Sequence, residues 1–161
     1  MKFKFKDITE EKDVSSILSI YNSNENFLEN HMGVKTISRE FIINEIKDMY
    51  NMNFKSFVII NHNDEIVGVC DYKIGEEVYL SLLMIDSINK SNGIGSLIYH
   101  ELEEIFKVNN VKSIRIDVVY NYEENVVGFW EKQGFTSCEE IELDWNGYKS
   151  KAVKMNKVIT S

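Results

Sequence analysis

Leu82 to Ser96 reads LLMIDSINKSNGIGS, and the fold turns on this stretch. An apolar strand ends at Ile85, a polar loop runs from Asp86 to Asn92, and Gly93-Ile94-Gly95 leads into a helix beginning at Ser96. Two glycines let a ligand come close to the main chain. The unbonded N–H groups of a helix N-terminus, at the positive end of its dipole, make an anion site. Lys90 adds a point charge at the mouth and Ser96 a hydroxyl donor. The plainer alternative is a helix start that uses glycine only to turn the chain.

Three phosphate-binding readings compete here. A nucleoside-triphosphatase loop needs four residues between its glycines and then Gly-Lys-Ser/Thr, which Gly93-Ile94-Gly95-Ser96 does not supply. A dinucleotide site needs a third glycine where Ile98 stands and expects its glycine turn after the first strand of the fold. In its favour, Asp117, on the next strand, stands near the place of a ribose-binding acid. The third reading is an acyl-coenzyme A.

Working outward, Val78 to Ile85 is nearly continuously apolar, which predicts a strand buried on both faces. The helix after the loop runs to about Val108 with Leu97, Ile98, Leu102 and Ile105 inward and His100, Glu103 and Glu104 outward. Before the loop, Ser56 to Ile60 and Ile66 to Tyr72 flank the turn-rich Asn61 to Asp64 as a hairpin. Phe3 to Ile8 reads as a first strand. Thr9, Glu11 and Asp13 open a helix to about Tyr21, and Asn22 to Ile37 is a loop or broken helix. Ser38 caps another helix carrying Phe41, Ile42, Glu45 and Met49 at helical spacing. After the loop come a strand from Ser113 to Val119, a short helix from Asn125 to Gln133 stopped by Gly134, and strands over Thr136 to Leu143 and Lys149 to Val158. This order predicts an α/β (α+β) sandwich around a partly antiparallel sheet.

A chain of 161 residues fits one domain spanning 1–161, with no proline, eight glycines and no repeat to mark a linker. Eighteen Lys and Arg against 26 Asp and Glu give a net charge of −8. A field of that sign repels nucleic-acid phosphates and anionic lipid and attracts a cationic amine. An anionic ligand must then be held by local backbone geometry. Cys70, Cys138, His31, His62 and His100 show no metal-ligand or disulfide spacing, and both thiols read as small buried hydrophobes. No apolar run is long enough for a membrane helix, and the alternating Lys2 to Lys6 segment has no signal-like apolar core, so a cytoplasmic protein is expected.

Two motifs together resemble those of the GNAT superfamily of N-acetyltransferases. Lys90-Ser91-Asn92-Gly93-Ile94-Gly95 matches the Arg/Gln-x-x-Gly-x-Gly/Ala loop with Lys for Arg. Phe129-Trp130-Glu131-Lys132-Gln133-Gly134-Phe135 is similar to a second motif ending Tyr-Glu-Lys-x-Gly-Phe. The resemblance implies a mixed, mostly antiparallel sheet of six to seven strands, splayed between strands four and five, with helices on both faces. Acetyl-CoA would enter the split. Main-chain groups of Leu83, Met84 and Ile85 would pair with its pantetheine arm, and the amides of Ser91, Asn92, Gly93, Ile94, Gly95 and Ser96 would hold the pyrophosphate.

The implied reaction is acetyl transfer to a primary amine, on a small molecule or a protein. An alkylammonium must lose a proton before it attacks, so a base is needed. The candidates by position are Asp71, Glu76, Glu77 and Glu123, and a main-chain N–H near Leu83 to Ile85 would polarise the carbonyl. Trp130 stands where many members carry a thiolate-protonating tyrosine. Tyr120 or Tyr122 would serve instead, while Trp130 packs against coenzyme A and Phe129 packs in the core. Glu123 also falls on the second motif's Asn. Glu25, Glu29 and the rest of Asn22 to Ile37 would form the acceptor side. Antibiotic, polyamine, amino-acid and ribosomal-protein acceptors stay open, as does a homodimer through Trp145 or the last strand. The alternatives are a coenzyme A-binding sensor on the same fold, and a nucleotide or S-adenosylmethionine enzyme using Gly93, Gly95 and Asp117.

Overall fold

Alternating Lys and Phe residues make β1 (Lys4–Asp7) one edge of the sheet in the computed structural model, which describes residues 1–8, 11–90 and 92–159, the Lys12 side chain excepted. Thr9, expected to open the first helix, lies outside the described residues. The chain continues through α1 (Glu11–Ser23), α2 (Glu25–Met32) and α3 (Arg39–Asn51) into a meander of β2 (Lys55–Ile60), β3 (Ile66–Ile74) and β4 (Val78–Ile85). A short 3₁₀ turn (Ser87–Asn89) leads to α4 (Ile94–Val108), followed by β5 (Ser113–Val119), α5 (Val127–Lys132), β6 (Thr136–Trp145) and β7 (Tyr148–Val158). The seven strands lie in the order β1-β2-β3-β4-β5-β7-β6, antiparallel except for the parallel pair β4 and β5. No described helix is long and apolar enough to cross a membrane.

Apolar residues of the sheet bury against helices on both faces. On one face Val14, Ile17 and Ile20 of α1, Leu28 of α2 and Ile42 of α3 pack on Val58, Val69, Leu82 and Met84. On the other, Tyr99, Leu102 and Phe106 of α4 and Trp130 of α5 pack on Val78, Leu80, Ile114 and Ile116. Strand β4 serves both layers because it changes face midway. Asp71 registers with Leu82 and Tyr72 with Leu80, which leaves Ser81 as an extra, bulged residue. A bulge bends its strand and raises the local twist.

The bulge and its consequences correct the expectation that Val78 to Ile85 is buried on both faces. Burial alternates instead, with Tyr79, Ser81, Leu83 and Ile85 only half-buried because this part of the strand borders a gap. Helix α4 starts two residues earlier than expected, and its buried stripe is Ile98, Tyr99, Leu102, Glu103 and Phe106. Leu97 is 45% exposed, and Glu103 turns inward to meet Lys157 of β7 at 2.7 Å. Charge pairing outweighs polarity in setting that face. Cys70 is buried as expected, but Cys138 is exposed on the edge strand β6.

Segment 22–37 forms a broken helix, stopped by Gly33 in the left-handed conformation at φ 72°. Ser38 caps α3 by accepting the Phe41 N–H at 3.1 Å. Ser38→Ala should therefore cost about 1 kcal/mol, read as a lower urea midpoint at unchanged slope.

Candidate active site

Strands β4 and β5 are in register at only two pairs, Val78 with Ile114 and Tyr79 with Arg115. Beyond them the Ser81 bulge turns β4 away, and the strands part around a cleft of about 1040 Å³. The alternation of an antiparallel ladder decides what β4 offers to this gap. Asp86 N–H donates to Val67 O across to β3 at 2.9 Å, so Leu83 and Ile85, out of phase with it, turn their main-chain groups toward the missing β5. Leu83, Met84 and Ile85 all line the cleft. One of those groups is taken. Asn24, buried at the α1–α2 junction, donates from Nδ2 to Ile85 O at 3.0 Å, a tether that sequence reasoning missed.

The glycine loop sits beside the open end. Gly93 caps α4 at φ 73°, and Leu97 N–H returns to Gly93 O at 3.3 Å. The N–H groups of Ile94, Gly95 and Ser96 therefore have no partner within the helix. Lys90, Gly93, Ile94, Gly95 and Ser96 line the cleft, whereas Asn92 is exposed outside the lining and Ser91 lies outside the described residues. Burial lowers the Lys90 ammonium from its ordinary range, opposed by Glu124. Ser96 Oγ accepts Gln133 Nε2 at 2.9 Å, which ties α4 to the end of α5.

A Cβ placed on Gly95 would stand 3.3 Å from Ile85 Cδ1 and 3.3 Å from Phe129 Cε1. The missing side chain leaves a narrow floor over which three free amides reach the gap. A diphosphate fits that donor set.

The second motif divides differently from its reading in the sequence. Trp130 is 7% exposed in an aromatic cluster with Tyr99 at 5.4 Å and Phe135 at 5.2 Å, though it still borders the cleft. Phe129, expected in the core, is only half-buried and also borders the cleft.

Of the acid and base candidates, the structure brings Asp71 and Tyr122 into the cleft lining. Glu76 and Glu77 lie in the β3–β4 turn, beside the strand ends where β4 and β5 still pair, and neither lines the cleft. Glu123 is exposed and outside the lining; its neighbour Glu124 occupies the rim and accepts Asn26 Nδ2. Tyr120 donates to Glu140 at 3.2 Å, also away from the lining. On the expected acceptor side, Glu25 borders the cleft, while Glu29 pairs with Lys35 at 3.7 Å. His31 stacks on Phe27 at 3.8 Å and faces Tyr122 edge-on at 6.3 Å. Burial holds its pKa down at about 4, so it is neutral. Asp117 takes Arg115 Nε at 3.1 Å, Arg115 Nη2 at 3.0 Å and Tyr79 OH at 3.0 Å. Those bonds occupy both of its oxygens, which leaves it unsuited to a ribose.

Sequence reasoning missed the chemistry of Glu45. Its carboxyl is pushed up to about 7, first by burial, then by the Asp71 and Asp48 charges, against a lowering hydrogen bond from Trp145. Asp71 is pushed up to about 6 by burial, opposed by the Ser56 side chain beside it. Both line the cleft. The signal is an acid at helical spacing among Phe41, Ile42 and Met49. Among the described residues no group of three or more His, Cys, Asp and Glu could hold a metal ion.

A family model described as an acetyltransferase (GNAT) domain matches residues 21–159. The chain belongs to the GNAT family. A Bacillus subtilis (strain 168) relative, the uncharacterized protein YxbD, is 26% identical over 110 residues, or 68% of the GNAT chain and 64% of that protein's own length. Among solved structures, an acetyltransferase from Thermus thermophilus has a TM-score of 0.74 at 18% identity, covering 99% of this chain and 98% of its own. A spermidine N-acetyltransferase from Vibrio cholerae, in complex with CoA and spermine, has a TM-score of 0.73 at 17% identity over 98% and 95%. The mixed sheet with its splayed β4 and β5 is the GNAT family's fold.

Proposed function

We propose that the protein transfers the acetyl group of acetyl-CoA directly to a primary amine. One juxtaposition carries this reading. The parted strands β4 and β5 have unbonded helix amides over glycine on one layer and the buried Asp71 carboxylate, with the half-buried Glu45, on the other. Bound in such a gap, acetyl-CoA supplies an activated acyl carbon as its thioester. Main-chain groups of Leu83 and Ile85 line up its arm, and the amides of Ile94, Gly95 and Ser96, with Lys90, take the diphosphate. Backbone donors let an acidic protein hold an anion without a basic surface.

Asp71 stands as the base among the candidates considered from sequence, and Tyr122 as the hydroxyl nearest the role left open by Trp130. A thiolate leaves well near neutral pH, so Tyr122 speeds departure and is not indispensable. The polyamine acceptor of the Vibrio cholerae structural neighbour and the −8 net charge both favour a cationic acceptor here.

Acetyl-CoA at about a hundred times its Kd should add about 2.7 kcal/mol, a rise in Tm of about 5–10 °C. Thiol release against a panel of primary amines then reads transfer. A thermal shift with no thiol release from any amine would reduce the protein to a coenzyme A-binding module; no shift at all would end the reading.

A further inference from the structure

Among the described residues four acids have buried side chains or are buried as residues: Asp13, Asp71, Glu103 and Asp117. Three of them have a cation. Asp13 meets Lys6 at 3.7 Å, Glu103 meets Lys157 at 2.7 Å and Lys107 at 3.3 Å, and Asp117 meets Arg115 at 3.0 Å. Asp71, only 7% exposed, has none among the described residues, and neither does Glu45 beside it. Burying a carboxylate without a counter-charge is costly, and folding normally avoids it.

This pair does not face closed protein. Both side chains border the cleft, on the α1–α3 layer of the sheet, opposite the layer of α4. Met49, Leu82 and the Trp145 and Tyr79 rings line the same space. A pair of carboxyls between apolar and aromatic walls suits a cation on a slender aliphatic stem.

We propose that Glu45 and Asp71 form the acceptor subsite, holding a primary alkylamine as its ammonium and taking the proton it must lose before attack. This deepens, and rests on, the acetyltransferase reading. One N–H proton passes to a carboxylate of the pair and frees the nitrogen lone pair. The nitrogen–carbon bond forms at the thioester carbonyl as the carbon–sulfur bond breaks. The departing sulfur takes a second N–H proton, and the carboxylic acid releases its own to solvent. Burial pushes both carboxyls toward neutral pH, and the Asp71 charge adds to the rise at Glu45, which suits the pair to accept a proton there.

The test uses 1,4-diaminobutane as probe, titrated calorimetrically into the full-length protein with and without CoA, with 1-butanol as the uncharged control. Glu45→Gln and Asp71→Asn, both nearly isosteric, should each weaken the diamine at least tenfold. Both should change the Kd of CoA less than twofold and leave the effect of butanol unaltered. Glu45→Asp, which keeps the charge, should recover most of the loss. In turnover the same variants should raise KM for the diamine. Diamine affinity within twofold of wild type in both Glu45→Gln and Asp71→Asn, or no diamine uptake by the wild type, overturns the subsite. Failure of CoA itself to bind overturns the acetyltransferase reading instead, and the CoA-free titration still reads the carboxylate pair.

Discussion

Gly95→Leu is expected to weaken acetyl-CoA binding by a hundredfold or more while the protein still folds. The first added carbon would land 3.3 Å from the ends of the Ile85 and Phe129 side chains, which yield by a few tenths of an ångström. The rest of the leucine has then only the cleft to enter, across the floor that gives access to the amides of Ile94, Gly95 and Ser96. A hydrogen bond to a charged group contributes about 1.5–3 kcal/mol. Blocking two of the three removes about 3 kcal/mol or more, and each 1.4 kcal/mol is tenfold. Gly93→Asn is the control. Gly93 holds φ 73°, and among the described residues the four positive-φ residues that are not glycine, Asn53, Asp64, Asn110 and Asn146, are Asn or Asp. Asparagine therefore keeps the backbone, and nothing stands within 4 Å of the added carbon. Calorimetry should show a small loss for Gly93→Asn beside a large one for Gly95→Leu, with circular dichroism confirming both folds. Equal affinity in wild type and Gly95→Leu would mean the diphosphate does not lie on this helix start.

The glycine-loop side of the cleft was legible in the sequence because its signals are local. A glycine pair after an apolar strand specifies free amides whatever surrounds them, and Gly93 does cap α4. Strands β5 and β7 were equally legible, since alternation and turn residues are also local signals. The side proposed for the acceptor is different. It is assembled by residues far apart in the chain, Glu45 on α3, Asp71 on β3 and Trp145 on β6. The cleft they border opens beside a single extra residue at Ser81, which moves Leu82 onto the other face. No periodicity announces a one-residue bulge. The same limit explains why Glu124 and not Glu123 reaches the rim, and why Glu103 turns inward. In each case one position of rotation decides the side, and a distant partner such as Lys157 decides the rotation.

If Asp71 is retained for function at a cost to the fold, its removal should stabilise the protein. Asp71→Asn is expected to be more stable than wild type by about 3 kcal/mol near pH 8. Burial raises the folded-state carboxyl from an ordinary 3.8 to about 6, and about two units at 1.36 kcal/mol each give that figure. A carboxyl raised in the folded state favours folding only while protonated in both states. Its contribution is fully present below the ordinary value and is lost as pH climbs to about 6. Glu45 acts in the same direction, its loss continuing to about 7. These two carboxyls pull wild-type Tm down as pH rises from about 4 to about 7, while His31, kept neutral by burial, pulls it up between about 4 and 6.5. The variant should follow a shallower curve, with Glu45 titrating lower once its charged neighbour is gone.

The other groups bearing on the pair are Tyr21 from α1, Asp48 from α3 and Cys70 from β3. The Tyr21 phenol and the Cys70 thiol are themselves pushed well up by burial, so neither titrates in this window. At 2–4 °C per kcal/mol for a domain of this size, the gap in Tm should be about 5–10 °C near pH 8 and shrink to a degree or two near pH 4. Calorimetry at matched ionic strength reads it directly. A gap of constant size across the range would assign the effect to packing, and a less stable variant would show that the carboxylate has a counter-charge in the folded protein. A gain in stability, paired with loss of diamine affinity in the same Asp71→Asn protein, would separate a group kept for chemistry from one kept for structure, because only the first is expected to strain the fold that carries it.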